Sequence, residues 1–211
     1  MARRRDRKSR ERSLERRAPK RPPYPRMLIV CEGKKTEPLY FHAIKRELRR
    51  ANAHLVILHA GYSEPRQIVD AALEKFRETR QFDRVYAVFD RDAHRTYHDA
   101  LKVAASLDGK ELNDLDEPVP FAAIASVPCF ELWLLLHFDD VQAPLDRKDA
   151  FRRVRGHVPA YDKSYEHAYR DTQSTLATAT QRAVRLRTRF KAASGVDPFT
   201  AVDVIVKMLK G

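Results

Sequence analysis

Four short apolar runs, each separated from the next by a stretch of helical periodicity, constrain this chain more than any other feature. Met27–Val30, Leu55–Leu58, Val85–Phe89 and Phe121–Ala125 read as strands, and unbroken apolar runs of this length mark strands buried on both faces. Between the first two, Thr36-Glu37-Pro38 predicts a helix start, with Thr36 as N-cap and Pro38 in the first turn. Tyr40, Phe41, Ile44 and Leu48 then recur at the 3.6-residue period. Gly61 breaks the chain after the second run, and Ser63-Glu64-Pro65 opens another helix with Ile68, Ala72 and Phe76 on one face. A third helix is predicted over 94–107, carrying Ala100, Leu101, Ala104 and Ala105, and residues 108–119 form an acidic connector. This alternation predicts an α/β fold: a four-stranded, mostly parallel sheet flanked by helices.

After the fourth run the pattern changes. Phe130–Phe138 is apolar on nearly every side, so it is expected to be buried, with Phe130, Trp133 and Phe138 in the core. Helices are predicted over 147–156 and 164–192. The second has a stripe of Leu176, Ala179, Ala183, Leu186 and Phe190, and an opposite face of Arg182, Arg185, Arg187, Arg189 and Lys191. A last helix is expected from the cap pair Asp197-Pro198, with Val202, Ile205 and Leu209 inward. The expected organisation is a basic tail over 1–26, an α/β core over 27–127 and a C-terminal helical extension over 128–211.

The net charge of +12 is unevenly spread: residues 1–26 hold 12 Lys or Arg against three acids, whereas the rest carries 29 basic and 26 acidic residues. The tail is nearly free of apolar side chains and ends in prolines, a composition expected to be disordered or loosely helical when free. Such an arm either holds a nucleic-acid backbone through counterion release or is a solvated extension. No apolar segment follows the charges as a targeting peptide requires, and no run reaches transmembrane length, so no membrane partner is expected. Cys31 and Cys129 lie in no metal or redox spacing, which points to reduced thiols and a cytoplasmic location. The eight histidines are read as structural or solvated.

Two clusters of acids follow strands. Glu32 comes directly after the first, and Asp90-Arg91-Asp92 follows the third. In open α/β sheets the carboxyl rim is where ligands bind. Paired carboxylates such as Asp90 and Asp92 repel unless a positive charge stands between them, and oxygen-rich sites suit Mg²⁺ or Mn²⁺. Glu32 is a candidate metal ligand or general acid/base, and Gly33 permits a tight turn beside it. Glu37 either complements the helix dipole or supplies another carboxylate. Lys34 and Lys35 are placed to meet a phosphate at a helix start, although Gly33-Lys34-Lys35-Thr36 lacks the glycine-bounded spacing of a Walker A loop, which excludes that kind of ATPase. Glu131 lies inside the most apolar segment, so it needs a cation, a hydrogen bond or a proton. Arg91, with Arg182, Arg185 and Arg189, is a candidate nucleic-acid contact; the bland reading of the arginine helix is a solvated face.

The strings LIVCEGKKTEPLYF, VYAVFDRD, SVPCFELWLLLHF, YDKS and GVDPFTAVDVIVKML, which together span most of residues 27–209, resemble the RloB-like family found beside bacterial restriction and abortive-infection loci. The resemblance implies a Toprim-type domain, the fold shared by topoisomerases, primases and overcoming-lysogenization-defect (OLD) nucleases, with Glu32, Asp90 and Asp92 on its acidic positions. By the same resemblance Glu37 matches a second acid of the first motif, Ser126 and Glu131 a serine-and-acid pair, and Lys163 a downstream catalytic lysine. It implies a nuclease using one or two Mg²⁺ or Mn²⁺ ions on DNA or RNA in phage defence, with an AAA-type ATPase from the same locus as a partner. Two other readings stay open: a non-catalytic nucleic-acid or partner-protein module on the same scaffold, and a phosphotransferase or phosphatase acting on a small nucleotide.

Overall fold

A computed structural model describes residues 24–48, 54–92, 94–192 and 198–210. The basic tail up to residue 23 and the cap residue Asp197 lie outside them.

The apolar runs become strands β1 (Met27–Cys31), β2 (Leu55–His59), β3 (Arg84–Asp90) and β4 (Phe121–Val127), all mutually parallel where they pair. Every residue of β1 is buried, because helices cover both faces of the sheet and neither face meets water. The helices between them are α1 (Thr36–Leu48), α2 (Pro65–Thr79) and α3 (Tyr97–Leu107). Each turns its apolar stripe inward: Tyr40, Phe41 and Ile44 from α1, Ile68, Val69, Ala72 and Phe76 from α2, and Tyr97, Ala100 and Ala104 from α3. The third helix starts three residues later than expected, since the chain from 94 to 96 is a loop whose His94 and Thr96 side chains bond to Glu64, the residue before α2.

A fifth strand, β5 (Phe199–Thr200), adds to the four, pairing antiparallel with Ser126 and Val127 of β4. The strand order is β2-β1-β3-β4-β5. The chain runs outward from β1 to β2 and then crosses back to β3 on the other side of β1. The order therefore reverses between β1 and β3, and a crevice opens past their carboxyl ends.

Beyond β4 the chain is helical: α4 (Glu131–Leu135), α5 (Arg147–His157), α6 (Ala168–Thr172), a single 3₁₀ turn (Gln173–Thr175), α7 (Leu176–Arg189) and α8 (Val202–Lys210). All five residues of α4 are buried, with Trp133 at its centre. The single helix expected over 164–192 is broken. Ser164 is held in a turn by the Asp162 carboxylate. Further on, the Thr172 hydroxyl donates to the Ala168 carbonyl at 2.7 Å and the Thr175 hydroxyl to the Thr172 carbonyl at 3.1 Å. Hydroxyls that bond to their own backbone compete with the helical ladder and tighten the turn. The last helix begins at Val202 rather than at Pro198, because sheet pairing claims Phe199 and Thr200 first; the Thr200 hydroxyl then accepts from the Val202 amide at 3.3 Å. Val202, Ile205, Val206 and Leu209 of α8 join the same core as β1, β3 and α4.

Candidate metal and phosphate site

Glu32 leaves β1 at the switch point. Its backbone N–H still donates to the Val88 carbonyl of β3 at 2.9 Å, which holds the residue against the neighbouring strand. Its side chain turns the same way: Oε2 accepts from the Asp90 amide at 2.9 Å. Acids 58 positions apart in the chain are thus joined by one hydrogen bond.

Gly33 is needed for a steric reason. The Glu37 carboxylate folds back from the first turn of α1 into the space a Cβ at Gly33 would fill. This puts Glu37 in the cluster, 4% exposed, alongside Asp90 at 5% and Glu131 at 3%. Glu131 opens α4 and accepts from the Tyr161 hydroxyl at 3.3 Å. Glu32, Glu37, Asp90 and Glu131 share one cavity of about 560 Å³, with Arg147 and Lys163 on its wall. Lys34, Lys35 and Thr36 line its mouth from the start of α1. The Thr36 hydroxyl does not cap α1; it donates to the Lys163 carbonyl at 3.1 Å and ties the helix start to the loop that carries the lysine.

Crowding like charges out of water raises their proton affinity. Burial, then the charges of Glu37, Glu32 and Glu131, hold the Asp90 carboxyl well above its usual range, with Arg147 offsetting part of the effect. Burial, followed by Glu32 and Glu131, pushes Glu37 up to about 7, against the pull of backbone N–H groups at Glu37 and Gly33. Burial also raises Glu32, although the Asp90 N–H, His94 and Arg147 favour its charged form.

Asp92 stands apart. Its backbone is left-handed, at φ 39°, and its carboxylate is ion-paired with Arg147, whose guanidinium also lies 3.6 Å from Asp90. Asp92 and Arg91 line a neighbouring cavity on the far side of Arg147. Arg147 therefore takes the place between the two aspartates where a cation was expected. Among the described residues, no three His, Cys, Asp or Glu side chains stand as a ready ligand set.

Sequence reasoning missed Arg147 and Tyr161. Arg147 carried a signal. It is the first residue of α5, after Asp146, whose carboxylate caps the helix by accepting from the Asp149 amide at 2.7 Å. A cation at a helix N-terminus opposes the dipole, so it implies an anionic partner elsewhere. Tyr161 had no comparable signal. The arginine face of α7 is only partly turned to the protein: half-buried Arg182 donates to the Leu136 carbonyl at 2.8 Å, whereas Arg185, 3.1 Å from Asp140, and Arg189, 5.0 Å from the Phe190 ring centre, are exposed. None of the three lines the carboxylate cavity. Ser126 is buried and shares a 3.0 Å hydrogen bond with Thr200, so it braces β4 against β5 rather than facing the cavity. No helix among the described residues is long and apolar enough to cross a membrane.

The chain matches no curated protein and no solved structure. A family model described as RloB-like protein matches residues 27–209. Its span takes in both the α/β sheet and the helices that complete the cavity, and the chain belongs to the RloB-like family.

Proposed function

We propose that this protein is a Toprim-type nuclease that hydrolyses nucleic-acid phosphodiesters with one or two Mg²⁺ or Mn²⁺ ions. The observation that carries the reading is the gathering of Glu32, Glu37, Asp90 and Glu131 around one cavity with a guanidinium and a lysine on its wall. The donors are carboxylate oxygens, the set that suits a hard divalent ion. Buried carboxylates that raise one another's proton affinity are also the groups a cation discharges. Glu32 and Asp90 would hold the ion, with Glu37 as a further ligand; Asp92, on the neighbouring cavity, would join them only by leaving Arg147. The ion would activate water and stabilise the departing oxygen.

The chain's own groups do the rest. Glu32 accepts a proton from the attacking water. Glu131, held by Tyr161, fixes charge at the back of the cavity. Lys163, Lys34 and Lys35 neutralise the phosphate at its mouth. Arg147 balances Asp90 and Asp92 while no cation is present; once one takes over that role, the guanidinium is free to bind a phosphate oxygen. Arg91, which lines the neighbouring cavity, would contact the continuing backbone. The family's genomic setting supports a cytoplasmic role in phage defence beside an AAA-type ATPase, on DNA or RNA.

The test is nicking of supercoiled plasmid, and cleavage of labelled RNA, with Mn²⁺ or with EDTA. Activity is expected only with metal and is expected to vanish in Asp90→Ala/Asp92→Ala. Cleavage that survives in the double variant sinks the site. A non-catalytic module is the second reading, favoured by one contact: Arg147 already satisfies both aspartates. It predicts nucleic-acid binding that is indifferent to metal and to both substitutions.

A further inference from the structure

One histidine stands between two carboxylates at the edge of the site, Glu64 on one side and Glu32 on the other. Glu64 occupies the N-cap position of α2, yet its side chain makes no capping bond. It reaches instead to the loop after β3. Oε2 accepts from the Thr96 hydroxyl at 2.6 Å, and Oε1 lies 3.2 Å from His94 Nδ1. A carboxylate only accepts, so Nδ1 carries the hydrogen, and in the neutral ring Nε2 presents its lone pair. That nitrogen faces Glu32 Oε1 at 3.9 Å, too far for a hydrogen bond. Two acceptors are thereby aimed at each other across a gap.

The gap has the size of a shared ion. Two donors each about 2.0–2.2 Å from one metal stand between about 3 and about 4.3 Å apart as their angle opens from about 90° to about 180°. A carboxylate that fixes the far nitrogen of an imidazole is the usual support of a metal-bound histidine. We propose that His94, oriented by Glu64 and Thr96, is a nitrogen ligand to the cation held at Glu32. A nitrogen donor biases the site toward first-row transition ions over Mg²⁺, least for Mn²⁺ and more for later ions such as Zn²⁺ or Ni²⁺, because nitrogen-site affinity rises along that series while Mg²⁺ keeps to oxygen donors. The proposal rests on the cation site proposed above and adds a donor and a preference that the carboxylates alone do not supply.

The full-length protein is titrated calorimetrically with Mn²⁺ and with Mg²⁺, as wild type, His94→Ala and Glu64→Gln. Wild type is expected to bind Mn²⁺ at least about tenfold more tightly than Mg²⁺. His94→Ala is expected to weaken Mn²⁺ by about 10–100-fold, and to change Mg²⁺ by less than about threefold. Glu64→Gln is expected to fall between the two. Pulsed electron paramagnetic resonance of bound Mn²⁺ provides a second readout: a nitrogen coupling in wild type, shifted by ¹⁵N-histidine labelling and absent in His94→Ala. His94 is at the surface edge of the site, and retained thermal unfolding shows that the variant is folded. Mn²⁺ bound without nitrogen coupling, at an affinity His94→Ala leaves unchanged, overturns the histidine assignment while the carboxylate site stands. Failure of wild type to bind either ion overturns both.

Discussion

Replacing Glu37 with Gln tests the electrostatics of the cavity without relying on catalysis. The carboxyl is buried against Gly33 and faces Glu32 and Glu131, which raises it from 4.5 to about 7 in the folded protein. Below about pH 4.5 the group is neutral folded or unfolded, and it does not affect stability. Between 4.5 and about 7 the unfolded chain gives up the proton while the folded protein keeps it. The native state then binds more protons, so unfolding free energy falls as pH rises. At about 1.36 kcal/mol per pH unit, the whole span amounts to about 3 kcal/mol lost by pH 8. Glutamine keeps the shape and still accepts from the backbone N–H groups, but it cannot ionise. In EDTA, urea melts of wild type and Glu37→Gln are expected to agree near pH 4 and to diverge as pH rises. At pH 8 the variant is expected to be more stable by up to about 3 kcal/mol, or about 6–12 °C in Tm for a chain of this size. A wild-type stability that is flat or rising from pH 5 to 8, with the variant running parallel, refutes the idea that this carboxyl is forced to hold its proton.

Two further outcomes follow from the same cavity. Gly33→Ala places a methyl group where the Glu37 carboxylate lies, so it is expected to cost about 1–3 kcal/mol in urea unfolding, with most of the loss recovered in Gly33→Ala/Glu37→Ala. Arg147→Ala leaves buried Asp90 without its counter-charge; it is expected to destabilise the protein by about 1–2 kcal/mol in EDTA, and saturating Mn²⁺ is expected to restore the loss. Equal destabilisation with and without metal would mean that the arginine and the cation do not share a place.

Sequence reasoning reached the sheet because its signal is local. An apolar run bounded by Gly, Pro or charged residues reads as a buried strand wherever it occurs, and the alternation with helices leaves few topologies. It reached Glu32 and Asp90 for the same reason: strand ends are visible, and parallel strands place their ends on one rim. It failed where a neighbour decided the outcome. Phe199 and Thr200 were absorbed into a helix start because two residues carry no period, and only the open edge of β4 makes them a strand. The long helical stripe after residue 164 was real, but hydroxyls at Thr172 and Thr175 bent it, an effect that depends on where those side chains find acceptors. Asp92 read as the twin of Asp90, yet a left-handed backbone and Arg147 turn it away.

The amino-acid sequence by itself determined the alternating α/β order, the burial of residues 130–137, though not of Phe138, and the acids waiting at two strand ends, since each follows from the period and composition of neighbouring residues. Only the tertiary structure decided which charges meet. The folding back of Glu37 over Gly33, the reach of Arg147 from α5 to two aspartates, and the hold of Glu64 on His94 all join residues distant in the chain. Coulomb energy and desolvation depend on separation in space, and separation along the chain does not report it.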